Sequence, residues 1–229
     1  MKIVLINGTN KKGSTYHIGR MLADKIGGEI EEVFLPRDFS EYCVGCFSCI
    51  RDSESKCPHA ENRDKITEKL DAAELIIMTS PVYCYHVSGQ MKTLLDHYAF
   101  RWMVHRPEAG MFTKQAVAIS TAAGQGTKWT NKDMSDSFFF WGIGKYYSYG
   151  MAVGASCWEE VNEKKVAKIE KATDKLAVKI KKKQGKVKPG IKTKAFFNIM
   201  RLMQKNGWCE ADVKYWKERG WTEKKRPWK

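Results

Sequence analysis

The sequence predicts an α/β protein built on a parallel sheet with helices on both faces. Short apolar runs alternate with amphipathic helical segments, in the order β-α-β-loop-α-β-α-β-α-β-α. Most of the runs are strongly apolar, as strands covered on both faces are. Right-handed crossovers follow from that arrangement. The chain has 229 residues, 43% of them hydrophobic, which suffices for one sizeable core.

The elements run as follows. "KIVLING" is β-branched, ends at Asn-Gly and reads as a buried strand. After the loop "TNKKGST", "STYHIGRMLADKIG" carries Ile18, Met21, Leu22 and Ile26 on one helical face, with Ser14 or Thr15 as its cap. "EIEEVFL" is a second strand, bounded by Pro36. A cysteine loop follows, then a helix in "NRDKITEKLDAA" with Ile66 and Leu70 at i,i+4. "ELIIMTSP" is the third strand, and "SGQMKTLLDHYAF" the helix after it. "KQAVAISTAAG" is the fourth strand, "MSDSFFFWGI" a helix or a wall of aromatics, and "YSYGMAVGA" the fifth strand. "EEVNEKKVAKIEKATDKLAVKIKKK" reads as a long helix with the stripe Val161, Val166, Ile169, Leu176 and Ile180. The division expected is a main domain over 1–184 and a basic, Trp-containing extension over 185–229. "AFFNIMRLMQKNGW" and "EADVKYWKERGW" form two short helices of that extension, packed on the domain or on a second subunit.

Charge is uneven. Of the net +14, the residues from Lys164 onward carry 22 basic against 6 acidic, and those before it 18 against 20. "KIKKKQGKVKPGIKTK" is the densest piece. Such a run suits nucleic acid or anionic lipid, or is simply a solvated lysine face. No aromatic residue interleaves its lysines, so a platform for stacking bases is missing there. No run approaches the roughly 20 apolar residues of a membrane span, and "MKIVLING" does not read as a signal peptide. The odd count of seven cysteines suits reduced thiols better than a staple framework, so a cytoplasmic setting is expected.

Ligands of open parallel sheets bind beyond the carboxyl ends of the strands, where three loops are informative. "NGTNKKGST" turns from strand 1 into helix 1. Its backbone N–H groups, the hydroxyls of Thr9, Ser14 and Thr15, and Lys11 or Lys12 can receive a phosphate. It is neither a Walker A sequence nor a G-x-G-x-x-G fingerprint. "TSPVYCYHVSGQMK" offers Pro81, Val82, Tyr83, Cys84, Tyr85 and His86 beside the sheet, a wall for a planar heterocycle. "STAAGQGT" leaves its backbone exposed through Thr121, Ala122 and Gly124. A phosphate at the first loop and a ring between the other two fit a flavin mononucleotide better than ATP. Without a ligand the same loops would be ordinary turns.

With "GTNKKGST", "AELIIMTSPVYCYHVSGQMKTLLDH" and "CVGCFSC" in place, the chain resembles the flavodoxin-like superfamily. Within it the similarity is to the NAD(P)H-dependent FMN reductases and their iron–sulfur flavoprotein relatives, over about residues 1–155. The resemblance implies a three-layer flavodoxin-like fold with sheet order 2-1-3-4-5, FMN bound without a covalent link, NAD(P)H as co-substrate, and a homodimer. It places Thr9, Lys11, Ser14 and Thr15 on the phosphate, Pro81, Val82, Tyr83 and Cys84 along the ring, and Thr121, Ala122 and Gly124 in the third loop. Family members often carry Ser and Arg where Thr9 and Lys11 stand, so the guanidinium fork is replaced by a point charge. The flavin would do the redox chemistry. No side chain is certain as a catalyst; Tyr83, Cys84 and His86 are the nearby candidates.

Cys43, Cys46, Cys49 and Cys57 follow C-x2-C-x2-C-x7-C-P, against C-x2-C-x2-C-x3-C-P in ferredoxins. A [4Fe–4S] cluster, a zinc ion and a free or redox-active thiol loop all remain open. The leading expectation is an FMN-dependent NAD(P)H oxidoreductase that reduces a flavin, a quinone, or another small or protein acceptor. The alternatives are an iron–sulfur electron-transfer module and a non-enzymatic binding protein using the basic region. Nucleic acid is not the expected partner.

Overall fold

The computed structural model describes residues 1–207 and 209–229. Five strands form one parallel sheet: β1 (Lys2–Asn7), β2 (Glu29–Phe34), β3 (Leu75–Pro81), β4 (Gln115–Ala122) and β5 (Lys145–Ala152), in the order β2-β1-β3-β4-β5. This is the three-layer flavodoxin-like arrangement expected from the resemblance. The strand order reverses between β1 and β3, which opens a crevice at their carboxyl ends.

Side chains alternate across the pleat, so each strand feeds two cores. Ile3, Leu5, Leu75, Ile77, Val117 and Ile119 face α1 (Ser14–Ile26) and α6 (Glu163–Lys183). Val4, Ile6, Ile76, Met78, Ala116 and Ala118 face α3 (Ala60–Ala72), α4 (Gly89–Asp96) and α5 (Thr127–Phe140). Continuous apolar strands are the consequence of these two covered faces. Gly19 of α1 is set by close packing, since a Cβ there would stand 2.5 Å from Thr79 Cγ2.

Several boundaries differ from the sequence reading. α1 is preceded by Gly13 as its N-cap, and no side chain caps it; Ser14 and Thr15 lie inside the first turn. α6 starts at Glu163, because the Asn162 side chain accepts from Lys164 N and fixes the entry. Val161 is therefore buried from the loop and not from the helix. The aromatic "MSDSFFFWGI" is the second half of α5 and the turn that ends it, with Met134, Phe138 and Trp141 in the core. A short α2 (Ser48–Arg51) inside the cysteine loop was not foreseen.

Beyond α6 come α7 (Ile191–Lys205) and α8 (Glu210–Glu218). Trp208, the end of the expected "AFFNIMRLMQKNGW" helix, lies outside the described residues. Phe197, Met200, Trp216 and Trp221 form a third core with Met103 and Phe112 of the main body. Among the described residues, no helix is long and apolar enough to cross a membrane.

Candidate functional site

The crevice at the strand ends has a volume of about 300 Å3 and is lined from four loops. The first contributes Asn7, Gly8, Thr9, Lys11, Gly13, Ser14 and Thr15. The second contributes Pro81, Val82 and Tyr83, and the third Thr121, Ala122 and Ala123. The fourth, after β5, contributes Val153, Ala155 and Ser156.

The first loop has the chemistry of an anion site. Because α1 has no side-chain cap, the N–H groups of its first turn face the crevice with the positive end of the helix dipole. A Cβ at Gly13 would meet nothing within 4 Å, so the entrance is open. Ser14 and Thr15 are buried, and the Thr15 and Thr121 hydroxyls hydrogen-bond across the crevice, joining the first and third loops. Lys11 adds a cation to the lining.

Ser88 ties the second loop to the first. Its hydroxyl donates to Gly8 O at 2.6 Å and accepts from Met91 N at 3.2 Å, capping α4. Its own N–H donates to Ser80 Oγ at 2.9 Å. Gly8 N donates to Thr79 O at 2.7 Å, and a Cβ on Gly8 would lie 2.9 Å from both Ser88 Oγ and Thr79 O. Glycine is required there by close backbone approach.

The second loop is a tight turn. Tyr83 and His86 exchange two backbone hydrogen bonds of 3.0 Å, and the residues between them, Cys84 and Tyr85, have φ of 49° and 68°. Left-handed backbone at two residues with side chains is strained, and such strain gathers at ligand clamps. Tyr83 and Tyr85 stand about half exposed, with Tyr85 edge-on to Trp129. A Cβ at Gly126 would lie 2.4 Å from Val82 Cγ1, so the third loop passes close over the second.

Of the expected residues, Thr9, Lys11, Ser14, Thr15, Pro81, Val82, Tyr83, Thr121 and Ala122 line one crevice. Cys84 and Gly124 do not line it. His86 turns away: its Nδ1 lies 3.0 Å from Asp133 Oδ2, which also accepts from Val87 N. The fourth loop went unread in the sequence, although "VGAS" at the end of β5 is another small-residue stretch at a strand's carboxyl end. Asn7 was missed too; it is buried and accepts from Thr79 Oγ1 at 3.0 Å.

Cys43, Cys46, Cys49 and Cys57 are all free thiols and line one small pocket with His59 and His97. The chain reaches this convergence through left-handed Gly45 and Phe47, and α2 begins at once after Phe47. Burial pushes the Cys49 thiol up, and the neighbouring Cys57 and Cys43 sulfurs add to it. The Ser48 side chain and N–H pull the Cys46 thiol down. His97 Nδ1 donates to Thr93 O at 2.8 Å, so its Nε2 accepts from His59 Nδ1 at 3.0 Å. Burial holds the His97 imidazole below its ordinary range. Ligand atoms of Cys57, His59 and His97 all lie within 4.8 Å of one another.

A crevice at the switch point of a parallel sheet, open on an uncapped helix N-terminus and flanked by a strained aromatic turn, defines a class. It is an α/β protein whose strand-end crevice has the chemistry to receive a phosphate. The model of the NADPH-dependent FMN reductases matches residues 1–155, and the chain belongs to that family. It is accordingly an oxidoreductase of the kind that passes electrons from NAD(P)H to a flavin or small acceptor. The chain is similar to an iron–sulfur flavoprotein of Archaeoglobus fulgidus, 25% identical over 85% of this chain and 86% of that one. An iron–sulfur flavoprotein of Methanocaldococcus jannaschii is 37% identical over 42% of this chain and about half, 51%, of its own length. In fold the chain is similar to an FMN-dependent NADH-azoreductase of Bacillus anthracis, with a TM-score of 0.56 and 14% identity over 77% of this chain and 100% of that one.

Proposed function

We propose that FMN lies in the strand-end crevice, its phosphate on the first turn of α1 and its ring beside Tyr83. The observation that carries this is the uncapped, unobstructed N-terminus of α1 facing a crevice lined by Ser14, Thr15 and Lys11. The N–H groups of the first turn, with the hydroxyls of Thr9, Ser14 and Thr15, would bind the phosphate. Pro81, Val82 and Tyr83 would orient the ring, and the small Ala122 and Ala123 leave it room. Bound FMN supplies two-electron chemistry with NAD(P)H. The N–H of Tyr85, inside the turn closed by Tyr83 and His86, would stabilise negative charge on the reduced ring. Cys84, Gly124 and His86 have no contact role in this reading.

For the cysteine pocket we infer a [4Fe–4S] cluster on Cys43, Cys46, Cys49 and Cys57. Four free soft donors converging on one pocket suit iron–sulfur ligation, and several relatives are iron–sulfur flavoproteins. A zinc site on Cys57, His59 and His97 is the second reading, favoured by the spacing of their ligand atoms. The hydrogen bond between the two imidazoles argues against it, because it occupies a lone pair that a metal needs. A cluster beside a flavin would make the chain an electron-transfer module for a small or protein acceptor. Residues 1–184 would be its redox domain and 185–229 an extension packed on it, working in the cytoplasm as a homodimer.

The test is the spectrum and metal content of anaerobically purified protein, before and after NADH or NADPH. FMN at one per chain, bleached by either nucleotide, with about four iron per chain, is the expected result. Protein that stays colourless after incubation with FMN and desalting would remove the flavin reading. Zinc in place of iron would replace the cluster by the second reading.

A further inference from the structure

The basic region is not absorbed by the redox site, and α7 has a feature that a solvated lysine face does not. Its inner stripe, Thr193, Phe197, Met200 and Gln204, is buried against the third core. On the opposite side, Ile191, Ala195, Ile199 and Leu202 recur at i, i+4, i+8 and i+11 and form a second stripe, with Met203 beside it. Ile191 is 87% exposed, Ile199 and Leu202 each 54%. A helix apolar on two opposite faces needs cover on both.

The charge around this stripe is of one sign. Between Asp174 and Glu210 there are eleven Lys and Arg and no Asp or Glu. Among the described residues, only Lys205 of these has an acidic partner, Glu223 at 4.0 Å. Lys181, Lys182, Lys183, Lys186, Lys188 and Lys192 are exposed.

We propose that the outer face of α7, with the lysine run that leads into it, docks on an anionic lipid surface. Aliphatic side chains enter the boundary between headgroups and acyl chains, and the lysines pair with anionic headgroups. A second copy of the chain fits poorly, because closing two such faces would set like charges together. A nucleic acid fits poorly as well: the stripe presents Ile, Ala, Leu and Met, with no ring on which a base could stack. The half-buried Phe196 already packs on Phe139 and Phe140. Docking would hold a redox protein at a membrane without a spanning segment.

The test is co-sedimentation of the full, FMN-incubated chain with phosphatidylcholine vesicles, with and without about one-third phosphatidylglycerol, at about 0.1 M salt. Binding to the anionic vesicles at least about tenfold stronger than to neutral ones is expected, weakening as salt rises. The double variant Ile199→Ser/Leu202→Ser keeps every charge and should lose about tenfold of that binding, with flavin content and circular dichroism unchanged. Lys181→Glu/Lys183→Glu should lose at least as much. No preference for anionic vesicles overturns the proposal, as does full binding by the Ser variant, which would reduce the region to diffuse charge. Conversion of a wild-type dimer to a monomer by the Ser substitutions would assign the face to a second copy. Salt-sensitive binding of duplex DNA, lost in the same variants while vesicles go unbound, would assign it to nucleic acid.

Discussion

Arg106 and Asp212 form a buried ion pair that ties the C-terminal helix to the cysteine loop. Asp212, on α8, is fully buried, and its second oxygen lies 2.8 Å from His105 Nδ1. The same Arg106 guanidinium donates to Cys49 O and, at 3.1 Å, to Ile50 O. Cys209 Sγ also approaches Ile50 O, at 3.7 Å. The peptide that carries Cys49 is thus held by a carboxylate more than 150 residues away in the sequence.

Asp212→Asn leaves the buried Arg106 charge with only the part-exposed Glu54 carboxylate, 3.5 Å away, as counter-ion. Breaking one partner of a buried pair costs about 3–5 kcal/mol, and guanidinium unfolding of the variant should show a loss of that order. In folded, metal-free protein, Cys49 should be alkylated faster in Asp212→Asn than in wild type. Equal labelling rates would mean that α8 does not restrain the loop.

Ser88→Ala removes both the α4 cap and the bond to Gly8 O. Loss of a serine N-cap costs about 0.5–2 kcal/mol, readable as a lower urea midpoint. FMN affinity should fall as well, since the first and second loops lose their tie. Fluorescence titration with FMN measures it; an unchanged affinity would show that the two loops are positioned independently.

Gly13→Asp separates folding from flavin binding. Gly13 sits at φ −87° and ψ −168°, which any residue adopts, and a Cβ there meets nothing within 4 Å. An aspartate N-cap should stabilise the apoprotein by a few tenths of a kcal/mol, roughly, because α1 has no side-chain cap now. The same carboxylate would occupy the N–H groups proposed for the phosphate and repel it. FMN affinity should drop at least about tenfold, with the apoprotein Tm unchanged or higher.

Lys114 gives stability a pH dependence in the alkaline range. It is buried, donates to Leu70 O and Asp71 O at the end of α3, and burial pulls its pKa down to about 8 from an ordinary 10.5. Below about 8 both folded and unfolded chains hold the proton. Between about 8 and 10.5 the folded chain has lost it and the unfolded chain has not. The unfolded state binds more protons there, so stability rises with pH, by about 3 kcal/mol over the window. Lys114→Met should flatten the rise, which thermal melts of both proteins from pH 7 to 10 would record.

The helices and strands were legible because each carries one period consistently. β1 and β3 carry the unbroken apolar runs 3–6 and 75–78, and α1 and α6 have clean stripes. The loops that line the crevice were legible because ligand chemistry in parallel sheets collects at strand ends, so position in the element order located them. Helix entry was misjudged where it depends on capping: Ser14 and Thr15 looked like caps, yet their hydroxyls face the crevice, and Thr15 pairs with Thr121.

By itself, the sequence determined the order of elements, the apolar strands that demand cover on both faces, and the placing of polar and small residues at their ends. Those are local matters of side-chain period and turn chemistry. Tertiary structure alone decided that the spaced cysteines converge with His59 and His97, that Ser88 grips Gly8, and that Arg106 joins α8 to Cys49. Such contacts close loops of tens to more than a hundred residues. Their partners are chosen by the packing of the whole sheet, which no window of the sequence encodes.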